Sequence, residues 1–312
     1  MNFEQSILDI KNQLRESLQI ENKKNLKKAE SFVLVGMGGS ALAGGIVKGF
    51  APSMPLAVQR SYGLPEGKEK SLFIFSSYSG NTEEVLDSFK KAKKLKRAVI
   101  SKGGALIKMA EKEKVPYIKL PDTNLQPRMA LGLSVNALFK LLGLKDKELA
   151  KTGENINPAS YEKEGIILSK KIKGFIPLIY SSDKNSAIAY NLKIKINENA
   201  KSPAFYNEIP ESNHNEISGF NKKTIKFSKN ILIIFLKDST DHPRIKRRME
   251  ITERMYREEG YKSLAIELEG KNFLEKYFGF NSLSDWTTFH LAKSYGFDPK
   301  PVPAIEKLKK SL

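Results

Sequence analysis

The chain has no cysteine among its 312 residues. Neither a disulfide framework nor a thiolate metal site is available to it, and an intracellular compartment is the expectation. Histidine is nearly as scarce: His214, His242 and His290 are too few and too scattered for a histidine-built centre, so no metal is expected. No apolar run approaches the roughly 18 residues of a membrane span. Met1 to Ile20 is amphipathic and carries acids where a secretory leader has a continuous apolar stretch, so no signal peptide is expected. These absences lead us to expect a soluble, cytoplasmic protein. Its 40% hydrophobic residues suffice for cores in two domains of about 150 residues each.

Acidic residues are in deficit too, with 35 Asp and Glu against 53 Lys and Arg and a net charge of +18. Such an excess raises a nucleic-acid partner. The lysines, however, fall in separate doublets such as Lys23-Lys24, Lys90-Lys91 and Lys170-Lys171, with no aromatic comb between them and no zinc-finger or RNA-binding signature. A positive field of this kind equally draws in phosphorylated small molecules. Only Arg244, Lys246, Arg247, Arg248 and Arg254 read as a basic helix face. No nucleic-acid and no membrane partner is expected.

What is present is organised around Ser76-Ser77-Tyr78-Ser79-Gly80-Asn81-Thr82-Glu83-Glu84, between the apolar run Leu72 to Phe75 and the helical pattern Val85, Leu86, Phe89. A buried strand that ends in hydroxyls and a glycine and then opens a helix collects backbone N–H and O–H donors at one point. Asn81 with Glu84 could instead form a simple capping box. Ser77, Ser79 and Thr82 are more hydroxyls than a cap needs, and read as a phosphate cradle.

A second loop of this kind precedes it. Ser31 to Val35 reads as a strand entering Gly36-Met37-Gly38-Gly39-Ser40-Ala41, where glycine lets the backbone approach a ligand. Gly36, Gly38 and Ala41 also fit a dinucleotide fingerprint, but the following strand Leu56 to Val58 ends in Gln59-Arg60 rather than the acid that holds a ribose; an NADP-dependent oxidoreductase reading rests only on the glycine loop and Arg60. Strand signals at 98–101 and 116–120 with a helix at 105–114 continue the alternation, which predicts a doubly wound parallel sheet with both loops at its carboxyl edge. Phe3, Ile7, Ile10, Leu14 and Leu18 predict one helix over 3–20. Gln126-Pro127-Arg128 opens a further helix with a cation near its start, where the dipole disfavours it. Residues 145–160 are polar and end in turn formers, a linker between domains at 1–150 and 151–312.

The second half predicts strands at 176–180, 231–236 and 263–268 with helices at 184–198, 243–259 and 282–295, and it has no glycine loop. Its unusual stretch runs from Asn197 to Ile217, with several carboxylates and His214 between Pro203 and Pro210 or just beyond. Glu198 closes a helix where a cation is preferred, a placement suited to giving and taking a proton. His214 adds a second group for proton transfer. A solvated turn and a structural histidine are the plain alternatives.

The glycine loop Gly36 to Ala43, the serine loop Ser77 to Glu84, Gln126-Pro127-Arg128 and the block Glu198…Pro210-Glu211-Ser212-Asn213-His214-Asn215-Glu216 resemble the bifunctional phosphoglucose/phosphomannose isomerases of archaea. These belong to the phosphoglucose isomerase superfamily. The resemblance runs from about residue 30 to Asp298-Pro299-Lys300-Pro301-Val302, and the block from Glu198 to His214 is its specific part. It implies an α/β fold of two doubly wound, parallel-sheet sugar-isomerase (SIS) subdomains and interconversion of glucose 6-phosphate, and mannose 6-phosphate, with fructose 6-phosphate through a cis-enediol(ate). It implies no cofactor, a place in glycolysis and gluconeogenesis, and a homodimer. Ser77, Ser79 and Thr82 would hold the substrate phosphate, and Gly38, Gly39 and Ser40 would close around the sugar. Glu198 would be the base, Arg128 would stabilise the enediolate, and His214, shared across subunits, and Lys307 would assist ring opening. A sugar-phosphate sensor that binds nucleic acid is the alternative; it would keep the cradle without needing Glu198, His214 and Arg128.

Overall fold

A computed structural model describes residues 1–311, and its chain divides into two compact units, Met1–Ile156 and Asn157–Leu312. In the first, α1 (Phe3–Leu8) and α2 (Ile10–Gln13) replace the single helix expected over 3–20. The chain turns at Asp9, yet Phe3, Ile7, Ile10, Leu14 and Leu18 are all buried as their spacing required. Five strands follow: β1 (Phe32–Gly36), β2 (Leu56–Gln59), β3 (Leu72–Ser76), β4 (Lys96–Ser101) and β5 (Tyr117–Lys119). They are parallel, in the order β2-β1-β3-β4-β5.

The crossovers are α3 (Gly38–Phe50), α4 (Glu83–Lys91) and α5 (Gly104–Lys112). Every residue of β3 is buried, as a parallel strand with both faces covered must be. Val33, Val35, Phe73, Phe75 and Val99 project to one face, where Val85 and Phe89 of α4 and Leu106 and Ala110 of α5 complete a core. After β5 come α6 (Leu131–Leu142), packed on α2 and α3, and α7 (Lys147–Asn155), packed on α2. The polar stretch read as a linker is therefore largely α7, which buries Leu149, Thr152 and Gly153. Its apolar residues are too few to announce a helix among so many charged and polar neighbours.

The second unit begins with α8 (Glu162–Ile172) and continues β6 (Ile176–Ser182), α9 (Ser186–Glu198), β7 (Phe205–Ile209), α10 (Ile225–Ser228), β8 (Ile231–Lys237), α11 (Pro243–Glu258), β9 (Lys262–Glu267), α12 (Phe273–Ser294) and α13 (Pro303–Ser311). Its sheet is parallel with order β7-β6-β8-β9, which repeats the beginning of the first unit's order. Leu178, Tyr180, Ile233 and Phe235 pack with Met249 and Tyr256 of α11. On α12, Trp286 donates its indole N–H to the Pro158 carbonyl at 2.8 Å, and the helix packs along α8 and α9. Most of α12 is buried around its whole circumference, which erases the amphipathic period and explains why sequence places its start at 282. β7 escaped notice because it is a short edge strand carrying Asn207 and Glu208.

Candidate active site

In the first unit the strand order reverses between β1 and β3, the switch point at which open α/β sheets form a crevice. Gly36 and Ser76 are register partners at the ends of these two strands, so the glycine and serine loops leave the sheet side by side. The serine loop is tightly stapled to the turn after β4. The N–H of Ser77 donates to the Ile100 carbonyl at 3.0 Å, that of Lys102 to the Tyr78 carbonyl at 3.1 Å, and that of Leu106 to the Gly80 carbonyl at 3.0 Å. Gly80 and Gly104 have φ of +74° and +71°, and a Cβ on either would sit 1.8 Å from the Gly103 oxygen or 2.4 Å from the Ser79 oxygen. The two turns can approach this closely only as glycines.

Within the loop, the hydroxyls of Ser77 and Thr82 are hydrogen-bonded at 2.8 Å, and Ser77 Oγ also accepts from Gly80 N–H at 3.0 Å. Ser77 is buried, Thr82 half-buried, and Ser79 exposed with its Oγ accepting from Asn81 N–H at 3.3 Å. The capping box weighed for Asn81 and Glu84 does not form. The side chain of Asn81 accepts from Ala105 N–H at 3.0 Å and so serves the neighbouring helix α5. At α4 the cap residue is Thr82, with no side-chain cap bond. Hydroxyl donors and the first-turn N–H groups of α4 thus occupy one turn of chain, an arrangement that suits a multiply charged oxyanion.

Gly38 is exposed at the start of α3, Gly39 is half-buried and Ser40 is buried. Arg128 is 5% exposed and lies in a single 3-10 turn, Pro127–Met129, ahead of α6 rather than in the first turn of a longer helix. A Cβ at Gly39 would stand 3.3 Å from the Pro127 oxygen and 3.5 Å from Arg128 Cα, so the glycine loop is seated against the arginine turn. The first unit therefore brings together Gly39 and Arg128, and places the serine loop on the adjacent strand.

In the second unit Glu198 is the last residue of α9 and is half-buried. The cation that a helix C-terminus prefers is supplied three residues on. Lys201 donates to the carbonyls of Glu198 at 2.7 Å, Asn199 at 3.2 Å and Pro299 at 3.1 Å, which ties the end of α9 to the Asp-Pro-Lys-Pro-Val segment. Sequence reasoning passed over Lys201, although a lysine just beyond a helix end is a recognisable signal. A cavity of about 450 Å³ opens here, lined by Glu198, Lys201, Ser202, Val302, Pro303 and Ile305 among others. Lys307 is exposed on α13 and is not among the residues that line it. His214 is exposed at the end of a 3-10 turn, Glu211–His214, that follows β7.

The strand ends of the second unit carry chemistry that the sequence did not announce. Ser182 Oγ donates to Asp241 at 2.8 Å, Asn185 Nδ2 contacts Ser182, Asp238 and Asp241 at 3.0, 3.1 and 3.2 Å, and Lys276 pairs with Asp238. All five side chains are buried. Burial opposes the charge of Asp238, but hydrogen bonds from Lys276, Thr240 and Asn185 outweigh it and hold the carboxyl well below the ordinary range. Burial, reinforced by the charge of Asp238, pushes the Asp241 carboxyl up. Where the first unit presents hydroxyls and backbone donors, the strand ends of the second carry side chains hydrogen-bonded to one another.

The two parallel-sheet units agree with what the chain is similar to. A family model described as the bacterial phospho-glucose isomerase C-terminal SIS domain matches residues 162–312. A bifunctional phosphoglucose/phosphomannose isomerase of Aquifex aeolicus is 34% identical over 93% of this chain and 92% of its own. One from Caldicellulosiruptor bescii is 35% identical over 99% of this chain and 98% of its own. A hypothetical protein of Thermus thermophilus has the same fold, with a TM-score of 0.73 at 17% identity over 97% of this chain and 89% of its own. These relatives lend the sensor reading no support. At 34 and 35% identity over nearly the whole length, with two SIS-type parallel sheets, the chain belongs to the bifunctional phosphoglucose/phosphomannose isomerases.

Proposed function

We propose that the protein interconverts glucose 6-phosphate and mannose 6-phosphate with fructose 6-phosphate. The observation that carries this reading in the fold itself is the serine loop at the β1/β3 switch point, where Ser77, Ser79 and Thr82 cluster at an α-helix whose cap makes no side-chain bond. In this reading their hydroxyls and the α4 N–H groups bind the substrate phosphate, while Gly38, Gly39 and Ser40 contact the sugar. Glu198 takes the proton from C2 of the open-chain aldose. The C–H electron pair becomes the C1=C2 bond and the C1 carbonyl oxygen becomes the enediolate oxygen; the C2 hydroxyl proton then passes to that oxygen, and Glu198 delivers a proton, its own or one exchanged with solvent, to C1 as the C2 carbonyl forms. Arg128, held in its buried turn, offsets the negative charge that develops on that oxygen; a fixed charge needs no reorganisation to do so.

His214 and Lys307 assist opening of the ring, the first by proton transfer at the ring oxygen or the anomeric hydroxyl. Its exposed position on the turn after β7 is compatible with service to the pocket of a second copy, so a homodimer belongs to the proposal. Oxidation at one carbon and reduction at its neighbour balance through proton transfer alone, and the route calls for no cofactor. Among the described residues no helix is long and apolar enough to cross a membrane. A cytoplasmic enzyme serving glycolysis and gluconeogenesis completes the proposal.

The test is incubation of the purified protein with fructose 6-phosphate in deuterated water, followed by NMR. Glucose 6-phosphate and mannose 6-phosphate carrying deuterium at C2 are expected. No aldose product, or product with no solvent deuterium under conditions where the intermediate exchanges, would remove the enediolate isomerase reading.

A further inference from the structure

The face of α9 that precedes Glu198 is unusually polar for a buried helix surface. Asn191 and Lys195, with the C-cap residue Asn199 just past Glu198, lie on one stripe, at i, i+4 and i+8, and each is at most 3% exposed. All three meet α12. Lys195 pairs with Asp285 at 2.5 Å and donates to Asn281 Oδ1 at 2.8 Å and to the Asn281 carbonyl at 3.3 Å. Asn281 Nδ2 donates in turn to Asp285 at 3.1 Å, Asn191 donates to Asn281 Oδ1 at 2.9 Å, and Asn199 donates to Thr288 Oγ1 at 2.9 Å. Asn281, Asp285 and Thr288 form the facing stripe of α12.

A buried ion pair is a poor way to gain stability, because the cost of removing both charges from water offsets their attraction, and an apolar pair of equal volume often does as well or better. What directional polar contacts supply is a single rotation and register of one helix against the other. Glu198 projects from α9 only about 60° around the axis from Lys195, at 100° per residue. A carboxylate about 5–6 Å from the helix axis moves about 1 Å for each 10° of rotation. Misplacement of a catalytic group by 1 Å can cost about 100-fold in rate.

We propose that the buried Lys195–Asp285 pair, with Asn281, is a positioning device that sets the rotation of α9 and thereby aims the carboxylate of Glu198. The inference rests on the reading of Glu198 as the proton-transfer base. It makes Lys195 and Asp285 positioning residues, since neither lines the cavity beside Glu198.

The experiment compares kcat and KM for fructose 6-phosphate, C2 deuterium incorporation and thermal unfolding in three variants. Lys195→Met/Asp285→Leu removes both charges at similar volume, Asp285→Asn keeps the shape while letting the lysine become neutral, and Glu198→Gln controls for the base. For the double variant the expected result is an unfolding temperature equal to or above the parent's, an unchanged KM, and a fall in kcat of about 10- to 100-fold matched by the fall in deuterium incorporation. Should the double variant fail to fold, Asp285→Asn is read alone, with the same split between kcat and KM expected. A folded variant with parental kcat overturns the positioning role. Full deuterium incorporation by Glu198→Gln overturns the base assignment instead, and the positioning role with it.

Discussion

Substitution of Gly80 by alanine tests how the serine loop is held. At φ +74° an alanine costs about 1–2 kcal/mol relative to glycine, because its Cβ crowds the following carbonyl. The Cβ would also stand 1.8 Å from the Gly103 oxygen, and ordinary contact at about 3.5 Å requires the two turns to part by well over 1 Å. That movement breaks the Lys102-to-Tyr78 and Leu106-to-Gly80 bonds, worth about 1 kcal/mol each. The total is about 3–4 kcal/mol, or roughly 10 °C in unfolding temperature. The loop that moves carries Ser77, Ser79 and Thr82. Losing one of their hydrogen bonds to a phosphate costs about 1.5–3 kcal/mol, which is about 10- to 100-fold in affinity for fructose 6-phosphate. Calorimetric unfolding and titration with fructose 6-phosphate read the two effects separately. A Gly80→Ala protein that melts within about 2 °C of the parent and binds fructose 6-phosphate equally well would refute the argument from loop approach.

Glu198→Gln is expected to lower kcat by about 10²–10⁴-fold with little change in phosphate-ligand binding, measured by steady-state kinetics and by inorganic-phosphate competition. In Asp241→Asn the sign follows from linkage: the raised carboxyl stabilises the fold only below its unfolded value and loses that contribution as pH rises through its folded value, whereas Asp238 behaves in the opposite sense. The variant should therefore melt higher than the parent at pH 7 and gain less at pH 4, and an equal gain at both would exclude titration of Asp241 as the cause. Lys307→Ala is expected to slow turnover of cyclic glucose 6-phosphate while Lys309→Ala is not; the reverse pattern in a coupled assay would reassign the ring-opening lysine.

Legibility in the sequence divided along physical lines. The β-strands of the first unit were readable because a parallel strand covered on both faces is a continuous apolar run, as Leu72 to Phe75 shows. The serine and glycine loops were readable because hydroxyls and glycines directly after such a run have few purely structural uses. Helix α7 and strand β7 were not, since each takes its place from the partner it covers rather than from an apolar period of its own. For α12 the signal was lost for the contrary reason, burial on every side.

By itself, then, the chain's covalent order determined the alternation of strands and helices, the parallel sheets and the side-by-side exit of two donor-rich loops. The alternation and the loop residues depend on neighbours a few residues apart, and the parallel pairing that sets the loops side by side follows from that alternation. Only tertiary structure decided that Asn81 serves α5 rather than its own helix, that Lys201 ties the end of α9 to the Pro299 carbonyl, and that Lys195 meets Asp285 from a distant part of the chain. Each of these pairings joins a donor and an acceptor far apart in the chain that no local period relates, and at Lys195 and Asp285 packing has also removed both groups from water, where a buried polar group must find a partner.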